Sequence, residues 1–132
     1  MSHLHKYIIC NVLLLILAAT VITGCQKEDN NGNLGGFWKL TKITNTEGDI
    51  INKTDENLFW RIQLDLIQIS KSYGRFQYTG DSLFIQMIET NNEALIDYGI
   101  YNAENERFAV EHLDRNKMIL QSKNARLNLK KF

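Results

Sequence analysis

From Gly36 onward the apolar residues of this chain recur at every second position, and that period limits the fold more than any other feature. A period of two places successive side chains on opposite faces of an extended strand. In "FWKLTKIT", Trp38 and Leu40 share one side, while Lys39 and Thr41 share the other. "LFWRIQLDLIQIS" puts Trp60, Ile62, Leu64 and Leu66 on one face and Arg61, Gln63 and Asp65 on the opposite one. After Leu66 the phase slips to Ile67 and Ile69, which predicts a one-residue β-bulge that helps the sheet to curve. "GRFQYTG" and "DSLFIQMIE" predict a hairpin through Thr79-Gly80-Asp81-Ser82, with Leu83, Ile85 and Met87 facing the core. "NNEALIDYG" breaks the pattern: Asn91 or Asn92 caps a short helix that runs to Tyr98 and ends at Gly99. "RFAVEHL", "KMILQSK" and "ARLNLKKF" follow, joined by "DRNK" and "SKNA", with Leu127 and Leu129 inward and Arg126, Asn128 and Lys130 outward. Beyond "ALIDYGI" no window carries helical spacing. The expected fold is all-β: a small antiparallel up-and-down β-barrel of seven to eight strands with one short helix, because closure removes exposed strand edges.

A chain of 132 residues has room for one domain, and its first thirty residues are of a different kind. Lys6 and the amino terminus supply positive charge, joined by His3 and His5 when they are protonated. The apolar run "YIICNVLLLILAATVI" then falls short of the about 20 residues that cross a bilayer core, so it reads as a cleavable export signal. "ITGC" resembles a bacterial lipobox, in which Ile22, Thr23 and Gly24 are read by the signal peptidase and the Cys25 thiolate takes a diacylglyceryl group. "CQKEDN" resembles the acidic signal that exports certain Gram-negative lipoproteins, carried here by Lys27, Glu28 and Asp29. Gln26 stands where inner-membrane retention uses aspartate. These resemblances imply a signal-peptide helix over 1–24, a flexible acidic tether over 25–34 and a barrel domain over 35–132. They also imply lipid attachment to the outer membrane, facing either the periplasm or the cell surface. Cys10 would leave with the leader and Cys25 would be acylated, so no thiol would remain for disulfide, metal or redox chemistry.

Reactive groups are scarce in the remainder. Lys+Arg equal Asp+Glu at 15 each, which argues against a nucleic-acid binder that must neutralise phosphates. After processing, His112 is the only histidine, and a zinc site needs three or four ligands. Its neighbours Glu111 and Asp114 read as turn and surface charges. The carboxylate pairs Asp49/Asp55 and Glu104/Glu106 lack the loop spacing of calcium motifs. Gly35-Gly36 precedes a strand and so offers an anion no helix N-terminus. No catalytic residue, cofactor or metal is expected. The aromatics are the candidates that are left. Trp38, Trp60, Phe76, Tyr78 and Phe84 lie on consecutive strands and are candidates to line one cavity; Tyr73, Tyr98 and Tyr101 are candidates for its rim. Trp38, Trp60, Tyr78, Phe84 and Tyr98 form the candidate ligand-binding set, with the Leu95–Tyr98 helix as plug or lid.

Three stretches carry a family resemblance. "LGGFWKLTKI" looks like the opening of lipocalin-like domains, where a glycine shortly precedes a tryptophan on the first strand. "YTGDSLFI" resembles their central hairpin and "VEHLDRNKMILQS" their closing strands, so the likeness runs from Gly35 to Phe132. The resemblance implies a calycin-type barrel and fixes no ligand; the first expectation is a monomeric, non-catalytic binding module for a small apolar or amphipathic ligand or a partner protein. Lipocalins commonly pack a last-strand arginine over that tryptophan; here Lys130 and Lys131 stand nearest. The alternative is an accessory envelope lipoprotein with a solid barrel that docks on a protein complex. An open aromatic-lined cup would mark the first role, and a packed interior with an exposed apolar patch the second.

Overall fold

The first strand pairs with the last, and that closes the sheet. The computed structural model describes residues 3, 5–11, 31–88 and 92–132. Residues 5–11 are helical (α1). The strands are β1 (Gly36–Asn45), β2 (Ile50–Asn52), β3 (Leu58–Gln63), β4 (Leu66–Ile69), β5 (Ser72–Tyr78), β6 (Ser82–Met87), β7 (Glu106–Leu113), β8 (Lys117–Gln121) and β9 (Ala125–Lys131). Helix α2 (Asn92–Ile96) lies between β6 and β7, and 3-10 turns span Gly32–Leu34 and Thr54–Glu56. Every pairing is antiparallel, in the order β2-β1-β3-β4-β5-β6-β7-β8-β9, with β1 also bonded to β9 from Trp38↔Lys131 to Asn45↔Ala125. Short β2 continues along the edge of β1 that β3 occupies lower down, so eight strands make the ring.

One expected element is different. "LFWRIQLDLIQIS" is a hairpin rather than one bulged strand: Gln63 pairs with Leu66, leaving Leu64-Asp65 as a two-residue turn. The next hairpin, Ile69↔Ser72, turns on Ser70-Lys71. Leu64 and Ser70 begin these turns with φ of 56° and 58°, so Leu64 and Leu66 are exposed rather than in the core. A two-residue turn shifts the parity of alternation just as a bulge does. Length separates the two, because thirteen extended residues would span about 43 Å, longer than a barrel of this size accommodates. Bulges do occur, on β1 between Leu40 and Lys42 and on β7 between Val110 and His112. At the first of these, Thr41 Oγ1 donates to the Asn128 carbonyl at 3.0 Å.

The remaining connections follow their turn chemistry. Thr79 N donates to Ser82 O at 3.0 Å around Gly80, whose φ is 98°. Asp114 N donates to Lys117 O at 2.9 Å and Ser122 N to Ala125 O at 2.9 Å. Helix α2 is shorter than the predicted span and unwinds through Gly99, with φ of 89°, as Ile100 N donates back to Leu95 O at 3.1 Å.

The interior is full. Trp38, Trp60, Phe108 and the inward Leu, Ile and Met residues of the barrel strands expose at most 3 % of their surface. Close-packed side chains of this kind supply most of the stability of such a domain.

Candidate functional site

Trp38 on β1 and Trp60 on β3 are register partners, and each ties down a different end of the barrel. The Trp38 indole Nε1 donates to Leu34 O at 2.7 Å, and the Trp60 Nε1 donates to Tyr98 O at 3.1 Å. Both rings are fully buried, so these N–H groups need such acceptors. The base, where β1 begins and β9 ends, is thus joined to the 3-10 turn Gly32–Leu34. The upper end, where β6 leaves and β7 enters, is joined to the α2 segment.

At the base, Leu34 is fully buried beneath the entering chain. Lys131, at the end of β9, lays its Nζ over the Trp38 ring at 4.3 Å from the centroid. The same ammonium donates to Asn33 O at 2.9 Å and to Gly35 O. Burial lowers the Lys131 pKa from its ordinary value. A lysine therefore occupies the position for which the family resemblance implied an arginine. Gly36, with φ of 120°, leaves room for it, since a Cβ there would stand 3.2 Å from Lys131 Nζ.

The upper end is sealed differently. Leu95, Ile100 and Ala103 come from the α2 segment, and each is at most 2 % exposed. Glu106, the first residue of β7, is 2 % exposed, and its Oε2 accepts the Tyr101 N–H at 2.7 Å and the Asn102 N–H at 2.8 Å. Met87 N donates to Ala103 O at 2.8 Å. Lys53 links the outside of this cap to the second 3-10 turn, with Nζ 3.0 Å from Glu56 Oε2 and 4.0 Å from Asp97 Oδ1.

The candidate aromatics do not meet in one cavity. Trp38 and Trp60 are core, with Trp60 5.9 Å from Phe108 between ring centroids. Phe76, Tyr78, Tyr98 and Tyr101 are partly buried against the core, with Tyr78 OH donating to Gly80 O at 3.2 Å. Tyr73 is exposed. Phe84 points outward, opposite in parity to Leu83 and Ile85, and stacks under Arg107 at 5.4 Å. It borders an open depression of about 520 Å³ on the outer wall with Arg75, Gln77 and Gln86. A second outer depression, about 350 Å³, is bordered by Arg61, Gln63, Leu64, Leu66, Gln68 and Tyr73.

The titratable candidates are dispersed as well. His112 Nε2 lies 2.7 Å from Asp114 Oδ2 on the surface. That hydrogen bond, with the Asn116 and Lys117 amides on Oδ1, holds the Asp114 carboxyl down at about 2. Glu104 is exposed while Glu106 is buried, and Asp49 binds the Asn45 amide of its own turn. Among the described residues no three His, Cys, Asp or Glu side chains converge. Ile22, Thr23, Gly24, Cys25, Lys27, Glu28 and Asp29 lie outside the described residues, as does Asn91.

From the sequence, Glu106 stands only as half of a carboxylate pair with Glu104, and Lys131 shares the place nearest Trp38 with Lys130, although the parity that distinguishes them was within reach. The inward parity of Phe108 extends back to Glu106, and that of Leu127 and Leu129 extends on to Lys131.

Two solved structures share this fold. A lipocalin-like protein from Bacteroides uniformis ATCC 8492 superposes with a TM-score of 0.65 at 18% identity, covering 76% of this chain and 100% of its own. An uncharacterized protein from Bacteroides eggerthii DSM 20697 gives 0.56 at 18% identity, covering 74% and 98%. No curated relative matches the chain. The model of the lipocalin-like domain matches residues 20–132, so this chain belongs to the lipocalin-like domain family.

Proposed function

We propose that the protein is an outer-membrane lipoprotein, held by an acylated Cys25, whose barrel is a non-catalytic binding module that works through its outer surface. The lipocalin-like barrel is in general a binding fold rather than a catalytic one. The observation that carries the reading is the full interior: Trp38, Trp60, Phe108 and Leu95 occupy the volume an internal ligand would need. Apolar surface stands outside instead, at Phe37, Leu64, Leu66, Tyr73 and Phe132, and a packed interior with exposed apolar surface favours docking on a partner over an open aromatic-lined cup. The signal-like N-terminus and the "ITGC" stretch support the anchor. Native mass spectrometry of the polypeptide from Gln26 onward should give the bare mass; a co-purified apolar molecule would overturn external binding. Cys25→Ser should abolish incorporation of labelled palmitate, and continued labelling would refute the anchor.

A second reading, an apolar ligand inside the barrel, is favoured by the construction of the upper cap. Among its described residues that segment buries Leu95, Ile100 and Ala103 fully and Tyr98 and Tyr101 in part, so a ligand that displaced them would gain an apolar chamber floored by Trp60.

A further inference from the structure

On the outer wall near the base, Lys39, Lys130 and Lys117 stand directly opposite one another across β1, β9 and β8. Like charges in cross-strand register repel. None of the ion pairs among the described residues involves any of the three. Beside this row lies an aromatic cluster. Phe59 pairs with Lys39, and the Phe132 ring stands on Phe59 at 5.1 Å in a T-shaped contact. Phe132 N donates to Phe37 O, and Phe37 and Phe132 are 47 % and 82 % exposed. The turn residue Leu64, at the same end, exposes a leucine in the left-handed region that glycine or asparagine would adopt with less strain. A basic row flanked by exposed aromatic and aliphatic side chains is the composition of a surface that seats on anionic lipid.

The chain itself leads to the same partner. Five residues, Gln26 to Asn30, separate Cys25 from Asn31, the residue that precedes the base's 3-10 turn. Fully extended, they reach about 20 Å. Acidic residues outnumber basic ones at the opposite end, at Glu47, Asp49, Asp55, Glu93 and Asp97 against Lys53, Lys71 and Lys123, whereas the base turns carry Asp65, Asp81 and Asp114 against Arg115 and the lysine row. We infer that the base of the barrel, through Lys39, Lys117, Lys130, Phe37, Phe59 and Phe132, lies against the anionic phosphate head groups of the membrane, with α2 facing away. The inference rests on the proposed anchoring at Cys25 and names the surface that the outer wall engages.

The test uses the full acylated chain reconstituted into vesicles of phosphatidylglycerol or of phosphatidylcholine, with nitroxide on the lipid head group. A fluorophore is attached at Leu64→Cys in one sample and at Glu93→Cys in another. Most of the fluorescence at position 64 should be lost in phosphatidylglycerol vesicles and little at position 93. Combined Lys39→Gln, Lys117→Gln and Lys130→Gln should return position 64 to its phosphatidylcholine level with the circular dichroism spectrum unchanged. Phe132→Ser should weaken the quenching in both lipids. Equal quenching at the two positions, or in the two lipids, from a chain that floats with the vesicles would overturn the docking while leaving the anchor standing. A chain that fails to float overturns the anchor, and the docking falls with it.

Discussion

The two ends of this barrel are closed by opposite means. The base is closed by the chain that enters and the chain that leaves: Leu34 inserts, Trp38 binds its carbonyl, and Lys131 covers the indole while donating to two more carbonyls. The upper end is closed by an insertion between β6 and β7, whose described residues Leu95, Ile100 and Ala103 are buried and which is held by the Trp60 indole and the Glu106 carboxylate. Trp38 and Lys131 tie the base closure directly to β1 and β9, whose pairing makes the ring. The α2 segment can leave without breaking any pairing between the eight ring strands. Local opening of this kind has a lower free energy than global unfolding.

Trp38→Ala tests the base most severely. It should cost about 3–5 kcal/mol of stability in urea unfolding, with both ends lost in one transition. A loss below about 1 kcal/mol would mean that the base is not integral to the ring. Leu95→Ala should cost less, about 2–3 kcal/mol, because the cap can partly relax into the space. It should also raise binding of an apolar dye, whereas Leu34→Ala should not; equal dye binding by the two variants would erase the contrast between the ends.

Glu106→Gln sharpens the contrast at one group. Replacing a charged acceptor by a neutral one should cost about 1–2 kcal/mol and accelerate hydrogen exchange at the Tyr101 and Asn102 amides. Exchange of the Lys131 amide at the base should not change. Lys131→Met should cost about 1 kcal/mol through the lost cation–π contact and carbonyl bonds, and Lys131→Arg should restore most of it. The smallest effect belongs to Asp114 in a base turn. Its pKa is depressed from 3.8 to about 2 in the folded state, so its contribution is present above pH 3.8 and is lost as pH falls through about 2. Asp114→Asn should flatten that part of the acid-unfolding curve; an unchanged curve would show the His112 contact to be without consequence.

Much of this architecture was legible. Alternation located β1, β5, β6, β7, β8 and β9, and it oriented Leu83, Ile85, Met87, Leu127 and Leu129 correctly. The slip after Leu66 was visible, but its cause was misread, because Leu64-Asp65 and Ser70-Lys71 carry no Asn-Gly or Gly-Asp signature. For Phe84, aromatic character outweighed its outward parity, and that grouped it with residues it does not touch. The contacts that close the two ends were beyond local reading. Trp60 and Tyr98 are 38 residues apart, and Lys131 lies 98 residues from Asn33.

The order of residues carried the period of two, the turns at 79–82, 114–117 and 122–125, the helical interruption before β7 and the inward side chains of β6 and β9. Those are local properties of an extended backbone, and the pattern of apolar residues records them directly. The filled interior and the difference between the two ends emerge only once the chain has closed on itself. Parity tells which residues face the axis, while the space left along that axis depends on the ring's circumference and on what each end folds back into it.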